Sequence, residues 1–268
     1  MQIFFQRLIR GVASRLGFTV IPQWQESDFA LERHLARLLE HYHIDTVLDV
    51  GANSGQFCDL LRKRIDYNGL IHSFEPMPDL ASGLVRRGNH DSKWIIHNMG
   101  LGNENTTLPL NVMSSSVFNS FQLPDTSATG RFSKGNKVLR TIDVAVHRLD
   151  DLLPSLSGMD GGKVFLKIDT QGFDHQVILG AKKTIEAISV LQFELPLQKI
   201  YKGVADCSDT LELLYESGFE ISGLFPISVD EHMRAVEMDC VMVKRLPEGK
   251  SVTSPLRFTS KDYLRTAS

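Results

Sequence analysis

Residues 46–57, TVLDVGANSGQF, carry the signal from which the fold can be inferred. Five residues of strand character run into Gly51, and Gly55 follows four residues later. A strand, a glycine turn and a helix from near Ser54 form the arrangement in which α/β proteins hold nucleotide-like ligands at the carboxyl end of a strand. We therefore expect the backbone at Gly51 and Gly55 to approach a ligand closely.

Segments of strand and helix character alternate along the rest of the chain. Further strands are predicted at LIHSF (70–74), KWIIHN (93–98), KVFLKID (163–169), SVLQFEL (189–195), FEISGLF (219–225) and DCVMVKR (239–245), and helices at 28–42, 54–65, 77–87 and 174–187. This alternation predicts a mostly parallel sheet with helices on both faces. The short link between the last two strands predicts an antiparallel hairpin at the edge of the sheet.

Composition narrows the class of protein. The chain has 268 residues and a formal net charge of −3, which does not favour a nucleic-acid partner. Cys58, Cys207 and Cys240 show no metal-ligand spacing, so a reduced, cytoplasmic protein is expected. No apolar run approaches the roughly 18 residues that a transmembrane helix needs. We predict an N-terminal helical segment over 1–44, one domain over 45–246 and a C-terminal tail over 247–268.

Residues 1–18, MQIFFQRLIRGVASRLGF, predict an amphipathic helix at the N-terminus. Its only charged side chains are arginines, and its apolar residues recur at helical spacing: Phe4, Phe5, Leu8, Ile9, Val12 and Leu16. Packing on the domain, on another subunit or on a partner enzyme is the commoner use of such a helix. Peripheral contact with the inner face of an anionic membrane is the alternative.

The residues around the glycine turn indicate which ligand binds. The dinucleotide fingerprint requires glycine at its first, third and sixth positions, which here hold Gly51, Asn53 and Gln56. A phosphate-binding loop with its lysine is also absent from the sequence. Glu75 ends the second strand, where a carboxylate can accept hydrogen bonds from ribose hydroxyls, and Asp49 adds a second negative group. Two carboxylates without a phosphate-binding lysine favour S-adenosylmethionine, which carries a ribose, a sulfonium and an amino group.

A long polar segment, MSSSVFNSFQLPDTSATGRFSKGN (113–136), separates two short predicted strands at 106–112 and 137–149. Loops of this length in a compact domain are usually functional or disordered. We interpret the segment as a substrate lid, with a plain surface insertion as the rival interpretation. Ser115 and Ser116 are expected to bind a polyhydroxylated acceptor, and Phe118 and Phe121 to stack on its ring.

Five motifs resemble those of one known family: VLDVGANSGQF (47–57), IHSFEPMP (71–78), HNMGLGN (97–103), HRLDDLL (147–153) and LKIDTQGFDHQVILGA (166–181). The first is shared by methyltransferases in general, and the last is the most specific. Over residues 45–244 the chain resembles the FkbM family of S-adenosylmethionine-dependent methyltransferases. The resemblance implies a Rossmann-like class I methyltransferase fold, α/β, with a mostly parallel seven-stranded sheet, an antiparallel last strand and helices on both faces. It also implies O-methylation of a sugar or natural-product hydroxyl.

The resemblance assigns roles to residues at the strand ends. It implies that the cofactor's methionine part, ribose and adenine are held by Asp49, Gly51, Asn53, Gly55, Glu75, Pro76, Met77, Asn98 and Gly100. It places Asp169, Thr170 and Gln171 where methyltransferases commonly position the acceptor. The family usually has Glu at the position of Gln171, so a carboxylate role there does not transfer to this chain.

Three residues are candidates for the catalytic base that removes the hydroxyl proton. Asp169 and Glu194 end adjacent strands and are expected to face one crevice, whereas His147 has the most suitable unperturbed pKa. Each candidate also has a non-catalytic interpretation: Asp169 as a helix cap, Glu194 as a member of an ion pair, and His147 as a loop residue without a specific role. Asp169 with Asp174 or Glu194 can also hold a divalent cation, but nothing in the spacing requires one, and no metal is predicted.

The sequence thus predicts an S-adenosylmethionine-dependent O-methyltransferase acting on a hydroxyl of a sugar, glycan or glycolipid, or of a natural product. The alternative is a non-catalytic S-adenosylmethionine-binding module of a glycan assembly complex. Residues 169–172, DTQG, lack the Asn/Asp-Pro-Pro-aromatic motif that many RNA and amine methyltransferases carry at this place.

Overall fold

The computed structural model describes residues 26–125, 135–159 and 161–245, with a few isolated positions before residue 21. Leu31–Arg245 form one compact unit. The predicted amphipathic helix over 1–18 lies almost entirely outside the described residues, and the tail over 247–268 lies wholly outside them. Both remain predictions, as do the domain boundaries. Along the described part of the chain, none of the helices has the length and apolar character to span a bilayer.

A seven-stranded sheet forms the centre of this unit, in the spatial order β3-β2-β1-β7-β8-β10-β9. Its strands are β1 (Thr46–Val50), β2 (Leu70–Phe74), β3 (Trp94–His97), β7 (Val164–Ile168), β8 (Ile188–Pro196), β9 (Phe219–Val229) and β10 (Ala235–Lys244). Strand β10 runs antiparallel to both of its neighbours, and the other pairings are parallel. The predicted Rossmann-like sheet with its antiparallel last strand is confirmed. Because the strand order reverses at β1, ligands are expected beside the carboxyl end of that strand.

Helices cover both faces of the sheet: α1 (Glu26–His41), α2 (Gln56–Lys63), α3 (Pro78–Gly88), α4 (Leu149–Leu152), α5 (Asp174–Leu179) and α6 (Cys207–Glu216). The helix predicted over 174–187 ends early, at Gly180, and resumes only as a 3-10 turn at Thr184–Glu186. Helix α6 was missed by the sequence analysis. The sequence feature that could have revealed this helix is the pair Thr210 and Leu214, which are buried and one helical turn apart.

Two apolar clusters pack these helices on the sheet, because successive strand residues point to opposite faces. One cluster joins strand residues to α5 and α6, and its members include Leu48, Leu166, Leu191, Val177 and Leu214. The other joins the opposite face to α1, α2 and α3, and its members include Val47, Phe165, Val190, Leu35, Leu61 and Leu84. Burial of both faces explains why the central strands read as nearly continuous apolar runs.

A second, three-stranded sheet follows β3 and has the order β4-β6-β5. It contains β4 (Gly100–Leu101), β5 (Thr106–Met113) and β6 (Val138–His147). The two longer strands, β5 and β6, pair antiparallel and agree with the two short strands predicted there. The long polar segment connects them, and its residues 126–134 lie outside the described residues.

Gly180 holds the end of α5 directly against the second sheet, which generates a first prediction. Its φ is an ordinary −82°, so only space restricts the residue. A Cβ at Gly180 would lie 1.8 Å from the carbonyl oxygen of Gly102. We expect Gly180→Ala to lower the free energy of unfolding by about 1–3 kcal/mol or more, because overpacking against backbone displaces the chain. Urea denaturation measures this change.

Gly83→Ala in α3 is the matched control. The nearest atom to a Cβ at Gly83 is 3.8 Å away, so alanine fits the helix. This variant is expected to gain about 0.5–1 kcal/mol, since alanine loses less backbone entropy on folding than glycine does. Equal denaturation midpoints for the Gly180→Ala protein and the wild type would contradict the close contact.

Candidate active site

The glycine turn after β1 is shaped first by protein packing. Gly51 and Gly55 have φ values of 81° and 86°, in the left-handed region that favours glycine. A Cβ on Gly51 would lie 1.9 Å from the carbonyl oxygen of Asp169, and one on Gly55 would lie 2.9 Å from the side chain of Leu84. The glycines therefore allow β1, β7 and α3 to approach one another. A close approach to the cofactor at the same residues remains a prediction.

Asp49, predicted to contact the cofactor, is fully buried on β1 with an exposure of 0%. Its Oδ2 accepts a hydrogen bond of 3.0 Å from the Ser73 hydroxyl on β2, and that hydroxyl accepts one of 2.9 Å from Trp94 Nε1. Its Oδ1 lies 3.3 Å from Lys167 Nζ on β7. In this arrangement the carboxylate supports the turn from beneath and presents no exposed surface to the cleft.

Lys167 is the residue that the sequence analysis missed. Its side chain is buried, and Nζ lies 3.2 Å from Asp169 Oδ2 in addition to its contact with Asp49. Burial by itself would lower the lysine pKa, but the two carboxylates outweigh burial and the pKa is raised. The signal was a single charged residue inside the apolar strand VFLKI, at a position where both faces of the sheet are covered.

Glu75 follows β2 and forms hydrogen bonds with three of the other predicted cofactor residues. Its carboxylate accepts hydrogen bonds from the backbone N–H groups of Asn53 (2.7 Å) and Met77 (2.9 Å). The Asn98 amide donates to the carbonyl oxygens of Glu75 (2.9 Å) and Pro76 (3.2 Å). Burial raises the Glu75 pKa to about 7, although these N–H groups act in the opposite direction. A carboxylate has about four acceptor positions, so two remain for a ligand.

Gly100 and His147 lie in the second sheet, where the structure gives them other neighbours. A Cβ on Gly100 would lie 3.0 Å from the Phe121 ring, and Gly100 is buried in β4. His147 ends β6 and pairs with Leu101. Among the described residues, no hydrogen bond or ion pair connects His147 to Asp169. The structure gives no support to His147 as the base.

Asp169 and Glu194, by contrast, are brought together at the ends of β7 and β8. The side-chain nitrogen of Gln171 donates to Asp169 Oδ1 (3.0 Å) and to Glu194 Oε2 (2.9 Å). Burial raises the Glu194 pKa well above its ordinary value, and the negative charges of Asp169 and Glu237 add to this effect. The two carboxyl groups thus form an acidic pair at the ends of β7 and β8.

Thr170 and Asp174 stabilise the turn that carries Asp169. Asp174 Oδ1 accepts hydrogen bonds from the Thr170 hydroxyl and from the Thr170 N–H (2.8 Å), and its Oδ2 accepts one from the Glu194 N–H (3.0 Å). The Thr170 hydroxyl, expected to contact the acceptor, is thus directed at Asp174. In the described chain no three carboxylate, histidine or cysteine side chains converge as metal ligands.

The first part of the long polar segment connects the two halves of the site. The Ser116 hydroxyl donates to Asn53 Oδ1 (3.2 Å) at the glycine turn, and the Ser120 hydroxyl donates to the Gln171 carbonyl (2.6 Å) in the turn after β7. The Tyr201 hydroxyl lies 3.3 Å from the Phe118 carbonyl oxygen and 3.0 Å from Gln171 Oε1, and its single hydrogen is donated to one of the two. A substrate lid and a plain surface insertion both remain predictions for this segment.

The aromatic side chains of this segment are used in packing. Phe118 packs against the cluster of Met113, Tyr201 and their neighbours, and Phe121 contacts the Phe173 ring with centroids 4.9 Å apart. Both rings were expected to stack on a sugar. In the structure each ring is partly occupied by protein contacts, because the segment folds back onto the domain. Ser115 lies beside them, with its N–H donating to the Gly135 carbonyl (3.2 Å).

Comparison with known proteins identifies the family. The model of the FkbM methyltransferase domain matches residues 49–221, which include the glycine turn, Glu75, Asp169 and Glu194. The chain belongs to the FkbM methyltransferase family. Its cofactor is S-adenosylmethionine. Among proteins of curated function, none matches the chain.

Several solved structures are similar to this FkbM methyltransferase. An FkbM methyltransferase from Methylobacillus flagellatus KT has 16% identity and a TM-score of 0.46, with 74% of this chain and 43% of that chain covered. The cofactor-bound Rv0187 from MTB has 13% identity and a TM-score of 0.46, with 90% and 89% covered. Fibrillarin from Aeropyrum pernix, with S-adenosyl-L-methionine bound, has 11% identity and a TM-score of 0.44, with 80% and 74% covered. This chain spans less than half the length of the Methylobacillus protein.

The charges of the residues at the strand ends of this FkbM methyltransferase suit a cofactor that carries positive charge. Two carboxylates, Asp49 and Asp169, face the single charge of Lys167, so this group leaves the edge of the sheet with a net negative charge that suits a cationic ligand. Glu75 keeps acceptor capacity for ribose hydroxyls beyond its two backbone hydrogen bonds.

The Glu75 pKa of about 7 generates a prediction for cofactor binding. Ribose hydroxyls donate to the ionised carboxylate, and protonation removes an acceptor. The affinity for S-adenosylhomocysteine is therefore complete only well above pH 7 and weakens as the pH falls through 7, by up to about tenfold per pH unit. Titration calorimetry from pH 5.5 to 8.5 measures this dependence.

Glu75→Gln is expected to bind more weakly and without this pH dependence. Asp79→Asn is the control, because Asp79 is an exposed carboxylate in the first turn of α3 and should keep the wild-type slope. An unchanged slope in the Glu75→Gln protein would show that another group causes the pH dependence.

Lys167 generates a prediction for stability. Lys167→Met keeps the length of the side chain but leaves Asp49 buried without its cation. Removal of one partner from a buried ion pair typically costs about 3–5 kcal/mol, and we expect a loss of that size in the free energy of unfolding. Lys163→Met, at an exposed lysine just before β7, should change it by about 0.5 kcal/mol or less. Similar denaturation curves for the two variants would refute the role of Lys167.

Proposed function

We propose that this FkbM methyltransferase is an O-methyltransferase whose acceptor is a hydroxyl of a sugar, glycan or glycolipid, or of a natural product with similar hydroxyls. The observation that carries the proposal is the carboxyl pair of Asp169 and Glu194, held together by Gln171 at the carboxyl edge of the sheet. A hydroxyl must lose its proton on methylation, and a carboxylate within hydrogen-bond reach can accept it.

Cofactor and acceptor meet at adjacent strand ends in this proposal. Asn53 and Gly51 hold the methionine part of S-adenosylmethionine, Glu75 holds the ribose, and Pro76 and Met77 border the adenine. When bound, the cofactor supplies a methyl group whose bond to sulfur breaks as a bond to the acceptor oxygen forms, the electron pair remaining on sulfur. Most of the rate enhancement then comes from holding the reacting atoms close and aligned.

The carboxyl pair orients the acceptor and receives its proton. Asp169 keeps part of its side chain exposed, 36%, and accepts hydrogen bonds from Gln171 and the Lys167 ammonium. Its remaining acceptor positions are available to orient the acceptor hydroxyl. Glu194 has the raised pKa and is the stronger base of the pair when ionised.

The chemistry of the polar segment between β5 and β6 is an argument for a polyhydroxylated acceptor. Its described part reaches from Asn53 to Gln171 through the hydroxyls of Ser116 and Ser120. Hydroxyl and amide groups of this kind exchange hydrogen bonds with sugar hydroxyls. The contact with Asn53 also places this segment where it can exclude water from the methyl-transfer centre.

A non-catalytic module that binds S-adenosylmethionine is the second candidate. Gln171 favours it, because an amide replaces the carboxylate that the family usually has there. Against it stands the presence of two carboxyl groups, those of Asp169 and Glu194, within hydrogen-bond distance of one side chain. Transfer of a labelled methyl group to a panel of sugars, oligosaccharides and glycolipids separates an enzyme from a module.

Asp169→Asn tests the proposed centre. The amide keeps the shape of the side chain but accepts no proton, so turnover should fall by about 10²-fold or more. Affinity for S-adenosylhomocysteine should stay within about twofold of the wild type, because Asp169 belongs to the acceptor side. Asp143→Asn, at an exposed position of β6, is the control with unchanged turnover. Normal turnover of the Asp169→Asn protein would move the role of base to Glu194, and loss of cofactor would place Asp169 in the cofactor pocket.

A further inference from the structure

Ser116 and Asn119 belong to one short turn in the polar segment between β5 and β6. Ser116 begins a 3-10 turn over Ser116–Phe118, and Asn119 follows it directly, with its N–H donating to the Ser116 carbonyl at 3.1 Å. Side chains three residues apart lie on the same side of a 3-10 turn, because one turn takes three residues. The turn therefore presents the Ser116 hydroxyl and the Asn119 carboxamide in one direction.

The orientation of the Asn119 carboxamide is determined by its neighbours. Its Oδ1 accepts a hydrogen bond of 2.9 Å from the Met113 N–H at the end of β5. This bond requires the oxygen on that side, so Nδ2 is directed at the Met77 sulfur, 3.3 Å away. A thioether sulfur is a weak acceptor on an unbranched side chain with three rotatable bonds. The contact with Asn119 therefore restricts the conformation of Met77.

Ser116 makes the corresponding contact at the glycine turn. Its hydroxyl donates to Asn53 Oδ1 at 3.2 Å. Asn53 has a φ of 48°, in the left-handed region that residues other than glycine seldom adopt, and such conformations persist where neighbouring contacts hold them. Ser116 thus supports a residue whose backbone conformation depends on its surroundings.

These contacts form a closed ring that passes through Glu75. The backbone N–H groups of Asn53 and Met77 donate to the two carboxylate oxygens of Glu75, at 2.7 and 2.9 Å. The side chains of the same two residues accept hydrogen bonds from Ser116 and Asn119. The ring joins three segments that are distant in the chain: the turn after β1, the turn after β2 and the polar segment. Asn53 and Met77 are therefore each held twice, once by their backbone and once by their side chain.

We infer that Ser116 and Asn119 are positioning residues for S-adenosylmethionine: Ser116 holds Asn53 at the methionine part of the cofactor, and Asn119 holds the Met77 side chain at the adenine. Ser116 then acts on the cofactor side, whereas the sequence predicted a contact with the acceptor. Both roles rest on the part of the proposed function that gives the ribose to Glu75 and the adenine to Met77, and neither depends on the identity of the acceptor.

The affinity for S-adenosylhomocysteine tests both residues without an acceptor. At pH 8.5 Glu75 is largely ionised, because its pKa is about 7. Titration calorimetry at this pH should show that Ser116→Ala and Asn119→Ala each raise the Kd by about three- to tenfold, the range expected for the loss of one hydrogen bond.

Ser114→Ala is the matched control for these two variants. The Ser114 hydroxyl donates to the Gly135 carbonyl at 3.0 Å, within the same segment. Its removal should leave the Kd for S-adenosylhomocysteine within about twofold of the wild-type value. A loss in the Ser114→Ala protein as large as that in the other two would overturn the inference, because any loosening of the segment would then have the same effect.

A double-mutant cycle shows whether Asn119 acts through Met77. Met77→Leu keeps an apolar side chain of similar size but removes the sulfur that accepts from Asn119. In the Met77→Leu protein, Asn119→Ala should therefore raise the Kd by less than about twofold. A loss of the same size in both backgrounds would refute the positioning role, because the substitution would then act through the fold of the segment alone.

The outcomes separate this inference from the proposed function. Unchanged Kd values for Ser116→Ala and Asn119→Ala, with a raised KM for the sugar acceptor, would overturn the inference and return the segment to the acceptor side. Normal binding by the Glu75→Gln protein would instead contradict the cofactor assignment on which both roles rest. Absence of methyl transfer by the wild type would count against the proposed acceptor only, because calorimetry with S-adenosylhomocysteine requires no acceptor.

Discussion

The ion pairs of Lys167 beneath the strand ends are the interaction on which the rest of the site depends. An ammonium buried between β1 and β7 is stable only because Asp49 and Asp169 lie on either side of it. The lysine in turn allows Asp49 to remain buried as a charged group, and it holds Asp169 at the edge of the sheet. One cation thus joins the strand that precedes the glycine turn to the strand that precedes the turn of residues 169–173.

Backbone contacts reinforce the same connection. The Asp169 N–H donates to the Val50 carbonyl at 3.0 Å, and the Asp169 carbonyl occupies the space that a side chain on Gly51 would need. The two turns therefore cannot move independently of each other. In the proposed function this contact fixes the turn assigned to the methyl donor relative to the turn assigned to the acceptor, which aligns the two reacting atoms.

Many of the helices and strands could be predicted from local sequence patterns. TVLDV and LIHSF form strands with the bounds that were expected, because short runs of mostly buried residues bounded by turn residues leave little freedom. Helix α6 was missed because ten residues are too few for a helix that is stable by itself, so its stability comes from packing on the sheet. The helix after Asp174 was predicted too long, because Gly180 meets Gly102, which is distant in sequence.

The sequence by itself determined the fold class, the family and the strand ends at which the cofactor residues and the Asp169–Glu194 pair lie, because these follow from periodicity and from motifs contained in short segments. Only the tertiary structure decided what the residues there do. It assigned Asp49 to Lys167 and Ser73 and turned Phe121 onto Phe173. It also made Gln171 a bridge, since hydrogen bonds between separate strands depend on register and distance, which no local stretch of sequence contains.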